Sequence, residues 1–163
     1  MKSIIDDDKI IVFLNNKKNI DEKEIEEYFK TLILKLEDKF DVTDYNEVSV
    51  YQDSNYGMIL EFKYDDMEYL FDTSDIKINL FKKNYFLYEI DYNYIDKKIL
   101  RYCTIYKNKD KLYLKFKRNI DEINFSKILE YSDIIYGEKA IKIENTSKKV
   151  NYEKTSSSIS RKT

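Results

Sequence analysis

The side chains best placed to do chemistry in this chain are carboxylates and lysines. Glu61-Phe62-Lys63 follows Asp53 in a D…E-x-K arrangement. Metal-dependent phosphodiesterases hold a divalent ion with two carboxylates and keep a lysine beside the attacking water. Phosphodiester cleavage needs that charge neutralisation and that activated nucleophile. On a strand, Glu61 and Lys63 share one face, as this chemistry requires. A helix before them would carry Glu26 or Glu27 as a further acid. Against this, E-x-K arises about twice by chance at such Lys and Glu content. The turn residues after Asp53 also place that acid on a hairpin loop rather than on a strand of its own. The competing reading of Glu61 and Lys63 is the solvated face of an antiparallel strand.

Two acidic-aromatic stretches point to binding rather than turnover. They are Tyr64-Asp-Asp-Met-Glu-Tyr-Leu-Phe-Asp72 and Tyr88-Glu-Ile-Asp-Tyr-Asn-Tyr-Ile-Asp96. Aromatic side chains offer large contact area at low entropic cost, and carboxylates around them steer towards a basic partner. In the first stretch, Tyr64, Met67, Leu70 and Phe71 line one face if the segment is helical, with Asp65, Asp66 and Glu68 outward. Tyr64, Asp65, Asp66, Glu68, Tyr69 and Phe71 are therefore the residues expected to meet a protein partner with a basic surface. Such a patch would also imitate nucleic acid. The plain alternative is a connection covering one end of a sheet, its tyrosines supplied by AT-rich codons. The heavy use of Lys, Asn, Ile, Tyr, Asp and Glu fits such codons throughout.

Absences narrow the chemistry further. The 163 residues include no His, Pro or Trp, one Cys and two Gly. Without imidazole, Ser-His-Asp and Cys-His nucleophilic systems are impossible within the chain. Cys/His zinc sites are excluded as well. Gly57 and Gly137 stand alone, so neither a Walker loop nor a dinucleotide-binding glycine fingerprint can form. Asp6-Asp7-Asp8 and Asp65-Asp66 have oxygen ligands but lack the spacing and turn glycine of a calcium loop. No cofactor and no metal are expected. Cys103, in Cys-Thr-Ile-Tyr, reads as a thiol packed as a small hydrophobe.

The elements that would position these residues are read from periodicity. Lys9–Asn15 is apolar on both faces, as a central strand is. Asp21 and Glu24 form a capping box, and Ile25, Phe29, Leu32, Leu36 and Phe40 recur at helical spacing behind it, with Tyr28 and Ile33 widening the stripe. Alternation with period two marks strands at 58–64, 76–80, 86–92 and 112–117, and more weakly at 48–52 and 103–107. Asp53–Gly57 and Asn108–Asp110 are short enough for hairpins. A helical turn is expected near 95–101 and a helix near 121–132, Ile128 and Leu129 inward. Asn-Ile-Asp-Glu recurs at 19–22 and 119–122 as the same capping chemistry used twice. The fold class is α+β: one long amphipathic helix and a shorter late one on a largely antiparallel sheet of about six or seven strands.

Residues 1–138 carry 22 Lys/Arg and 29 Asp/Glu, a net −7, whereas 139–163 carry 7 and 2, a net +5. A single domain over 1–144 is expected, followed by a disordered basic Ser/Thr/Lys-rich tail over 145–163. That tail gives a third reading, a nucleic-acid-binding accessory protein. It is disfavoured by the acidic body and by Tyr152 being the tail's one aromatic. The longest apolar run, Ile10–Leu14, is too short for a membrane span or a signal-peptide core. The expectation is a cytoplasmic, non-catalytic interaction or regulatory module with no membrane contact.

Overall fold

The strands gather into two separate sheets rather than one, each packed with helices of its own unit. The computed structural model describes residues 2–6, 9–15, 24–37, 45, 47–63, 77–81 and 85–150. Two compact units divide at 84/85, Met1–Asn84 and Tyr85–Thr163. The fold is α+β and mostly strands, with ten strands and four α-helices among the described residues.

The first unit holds β1 (Lys2–Asp6), β2 (Lys9–Leu14), α1 (Ile25–Glu37), β3 (Glu47–Asp53), β4 (Gly57–Lys63) and β5 (Lys77–Phe81). Its strands lie in the order β1-β2-β4-β3-β5. All neighbours are antiparallel except β3 and β5, which are parallel. One face presents Ile10, Val12, Val48, Val50, Met58, Leu60 and Phe62, and these pack with Phe29, Ile33 and Leu36 of α1. The stripe read from the sequence is thus the buried face of this helix. Asp21 and Phe40 lie outside the described residues. On the opposite face Ile59 is buried beside Tyr51, Ser49 and Glu61.

The second unit holds β6 (Phe86–Ile90), a 3-10 turn at Tyr92–Tyr94, α2 (Lys97–Leu100), β7 (Cys103–Asn108), β8 (Lys111–Phe116), α3 (Glu122–Glu130), β9 (Ser132–Tyr136), α4 (Gly137–Thr146) and β10 (Lys148–Val150). Its sheet runs β10-β7-β8-β6-β9 and is antiparallel throughout. Helices cover both faces. Phe125 of α3 meets Tyr88 and Phe116 edge-on, at 5.6 and 5.9 Å between ring centroids. On the other side Ala140 of α4 packs with Leu87, Tyr106, Tyr113 and Ile135.

All seven stretches read as strands coincide with β2 to β8. The expected count of six or seven falls short because β1, β9 and β10 are added, each at the edge of a sheet. Asp121 caps α3 by accepting from the Asn124 N–H at 3.0 Å, whereas the first Asn-Ile-Asp-Glu lies outside the described residues. The stretch read as a tail from Asn145 opens with the last turn of α4 and with β10. Residues from 151 lie outside the described ones. Charge also divides at 84/85: the first unit holds 12 Lys/Arg and 20 Asp/Glu, a net −8, and the second 17 and 11, a net +6.

Two leucines test the packing. Leu60 is fully buried in the sheet, and Leu34 on α1 is 63% exposed. Leu60→Ala should lower unfolding free energy by about 2–5 kcal/mol, and Leu34→Ala should stay within about 0.5 kcal/mol, both read by urea denaturation.

Candidate functional site

The D…E-x-K residues share a sheet face but not a site. Asp53 is the last paired residue of β3, opposite Gly57, and not a loop residue as its sequence context implied. Its Oδ1 accepts from the backbone N–H groups of Asn55 and Tyr56 at 2.9 and 2.8 Å, so this carboxylate builds the β3–β4 turn. Gly57 leaves that turn at φ 121°, a conformation open to glycine alone at little cost. Glu61 lies four residues further along β4, about 13 Å away at the rise of a strand. One ion cannot bind both carboxylates across that gap.

Glu61 is only 5% exposed, and a carboxylate so far from water needs a cation. Lys9, on the neighbouring β2, donates to its Oε1 at 2.8 Å. Lys63 lies 3.9 Å from Oε2. Next to this row, Glu47 pairs with Lys77 at 3.6 Å and accepts from the Asn79 amide. Lys63 and Glu61 do share a face, as expected, but both are ion-paired there, one set of contacts joining β2 to β4 and another joining β3 to β5. Glu27 is exposed on α1, which packs on the opposite face of the sheet. Among the described residues, no group of three metal-binding side chains comes together.

A second polar network joins α4 to its sheet. Glu144 accepts from the Tyr106 hydroxyl at 2.8 Å and from Lys115 Nζ at 2.5 Å. Burial pushes the Tyr106 phenol up to about 12, helped by its hydrogen bond to Glu144 and by that carboxylate's charge. Partial burial works against ionisation of Glu144. The hydrogen bonds from Lys115 and Tyr106, with the charges of Lys115 and Lys149, outweigh it and hold the carboxyl below its usual range. Cys103 is buried, and burial pushes its thiol up to about 11 despite the nearby Lys117 charge. A thiol so hard to ionise is a poor nucleophile, as its packed position implied.

The second acidic-aromatic stretch reaches the surface. Asp91 accepts from the Asn93 N–H at 2.8 Å and caps the 3-10 turn. Asp96 caps α2 through the Lys98 N–H at the same distance. Between these carboxylates Tyr92 and Tyr94 stand 47% and 56% exposed. Tyr94 stacks flat on Tyr131, at the C-terminal end of α3, with centroids 4.5 Å apart and planes 5° from parallel. Tyr131 is itself 45% exposed. The Glu130 carboxylate beside it raises its phenol above the ordinary range, aided by partial desolvation, a hydrogen bond to Glu130 and the nearby Tyr94. Tyr131 was not singled out in the sequence, because only the fold brings it to Tyr94. The first stretch, with Tyr64, Asp65, Asp66, Glu68, Tyr69 and Phe71, lies outside the described residues, as do Asp7 and Asp8.

Comparison of the chain with protein-family models, curated proteins and solved structures returns no match. Among the described residues, no helix is long and apolar enough to cross a membrane.

Two outcomes follow from this geometry. With Asp53 and Glu61 held apart, magnesium or manganese should shift the melting temperature by less than about 1 °C. Wild type and Lys63→Ala should leave labelled DNA and RNA equally intact. The Glu144 clasp should show in acid. Its carboxyl titrates lower in the folded chain than in the unfolded one, so the unfolded chain binds more protons as pH falls. The stability it contributes is full above the ordinary carboxylate range and fades as pH drops through the folded value. In urea unfolding, Glu144→Gln should be less stable than wild type at pH 7, with the gap narrowing towards pH 3.

Proposed function

We propose that the chain is a non-catalytic interaction module that presents acidic-aromatic surface to a basic protein partner. The observation that carries this reading is the Tyr94–Tyr131 stack, half exposed and flanked by Asp91, Asp96 and Glu130. Aromatic stacking contributes roughly 0.5–1.5 kcal/mol, and it fastens the 92–94 turn to the end of α3. That local role needs the two rings in contact; it does not need both left about half exposed. A partner covering them gains rigid contact area at little entropic cost, since the stack and the two capped turns fix the rings beforehand. Lysine and arginine side chains suit this surface twice, by attraction to carboxylates and by cation–π contact with tyrosine faces.

The stretch Tyr64, Asp65, Asp66, Glu68, Tyr69 and Phe71 has the same chemistry and extends the proposal to the first unit, whose net charge is −8. The ion-paired state of Glu61 and the turn-building role of Asp53 argue for binding over metal-dependent cleavage. A single, buried thiol fits a reducing compartment such as the cytoplasm.

The test compares three tagged chains in nuclease-treated host lysate: wild type, Tyr92→Ala/Tyr94→Ala/Tyr131→Ala, and Asp65→Lys/Asp66→Lys/Glu68→Lys. Wild type should retain a basic protein in stoichiometric amount, and the triple tyrosine variant should lose at least about 90% of it while its melting temperature falls by no more than about 3 °C. Loss in the lysine variant would extend the interface to the first stretch. Equal retention by all three chains would overturn the reading.

A further inference from the structure

We infer that Tyr94 and Tyr131 form an oxidative cross-linking site, where a one-electron oxidant of the haem-peroxidase class joins the two rings within one chain as dityrosine. The ring planes lie 5° from parallel with centroids 4.5 Å apart, and the planes can be no further apart than the centroids. Carbons of the facing rings are therefore near van der Waals contact, roughly 3.5–4 Å. Coupling of two separate tyrosyl radicals is bimolecular, whereas two rings held in this way react in a unimolecular step. Both rings are about half exposed, so an oxidant reaches them.

Each phenol loses one electron to the oxidant together with its O–H proton, leaving a radical spread over the oxygen and the ortho and para ring carbons. One ortho carbon of each ring then forms the new C–C bond. The hydrogen that carbon carried moves to the oxygen as each ring regains its aromaticity. Two electrons and two protons leave in all, and hydrogen peroxide, acting through the peroxidase haem, takes them up and becomes two waters. The Glu130 carboxylate, by its charge and its hydrogen bond, keeps the Tyr131 phenol protonated at neutral pH. It is also the base within reach of that proton when the electron leaves.

Composition alone does not select this pair, since the chain holds 16 tyrosines. Tyr88 is buried and faces Phe116 and Phe125, which have no phenolic proton to lose. Tyr106 and Tyr113 are buried as well. A bond between Tyr94 and Tyr131 ties the turn after β6 to the end of α3 and closes a loop, as a disulfide does. The single cysteine leaves the chain no internal disulfide with which to do the same. The reaction needs no protein partner, and a partner covering these tyrosines would shield them from it.

The experiment treats the full chain, dilute and without a partner, with a haem peroxidase and limiting hydrogen peroxide. Dityrosine fluorescence should appear in a product of monomeric size, lighter than the starting chain by two hydrogens. Digestion should release the peptides of Tyr94 and Tyr131 joined to each other. Tyr94→Phe and Tyr131→Phe should each cut the monomeric yield by at least about tenfold, and Tyr102→Phe should leave it within about twofold. The peptide map of the wild-type product decides the matter if a variant fails to fold. The inference is overturned if dityrosine forms only between chains or not at all, or if the joined peptides carry other tyrosines. It is equally overturned if Tyr94→Phe or Tyr131→Phe keeps the wild-type yield. With no partner present, such a failure does not bear on the interaction reading.

Discussion

A carboxylate removed from water costs several kcal/mol unless a cation or hydrogen-bond donors meet it, and the first sheet meets this constraint in both ways, with backbone N–H groups at Asp53 and a lysine at Glu61. Glu61 is nearly inaccessible on its sheet and is met by Lys9. Glu89 meets Lys111 across β6 and β8 at 2.5 Å, and Glu144 of α4 meets Lys115 and Tyr106. Removing the cation that meets a buried carboxylate is strongly destabilising, so Lys9 and Glu61 hold the fold rather than wait for a substrate; the more exposed Glu89–Lys111 and Glu144–Lys115 pairs contribute less. The strands therefore spend their acids and lysines on one another. The exposed Tyr92, Tyr94 and Tyr131 lie outside the strands, in the turn after β6 and at the end of α3.

Much of the architecture was legible as period-two alternation. β2 to β8 announce themselves because at least one of their faces is apolar and several residues long. β1, β9 and β10 do not, because an edge strand needs to satisfy one neighbour only and can be short, as Lys148–Val150 is. α4 was hidden for a related reason. Its N-cap is Tyr136, which makes no side-chain capping bond, and few of its residues are buried, Gly137 and Ala140 among them. Helix α3 was readable because Asp121 announces its start. Gly137 carries the chain from β9 into α4 at φ 63°, a left-handed step that explains one of the two glycines.

The site was legible only in halves. The stretch from Tyr88 to Asp96 stands out by composition, yet which of its tyrosines is spent on the core requires the register. Tyr88 is buried against Phe116 and Phe125, whereas Tyr92 and Tyr94 are left outside. The meeting of Tyr131 with Tyr94 is a tertiary fact with no local signal. Glu61 and Lys63 show the converse: a short motif with catalytic spelling proved to be one row of an ion-paired sheet. Spacing along the chain put them on one face, as expected, but could not show that Lys9 is already there.

The central claim is that the stacked tyrosines are covered when the chain is at work. Hydroxyl-radical footprinting of the free chain and of the chain captured with its partner tests it ring by ring. The account predicts strong protection at Tyr92, Tyr94 and Tyr131 in the complex. The buried Tyr88 should be unreactive in both states. Undiminished reactivity of Tyr94 and Tyr131 in the complex would contradict it.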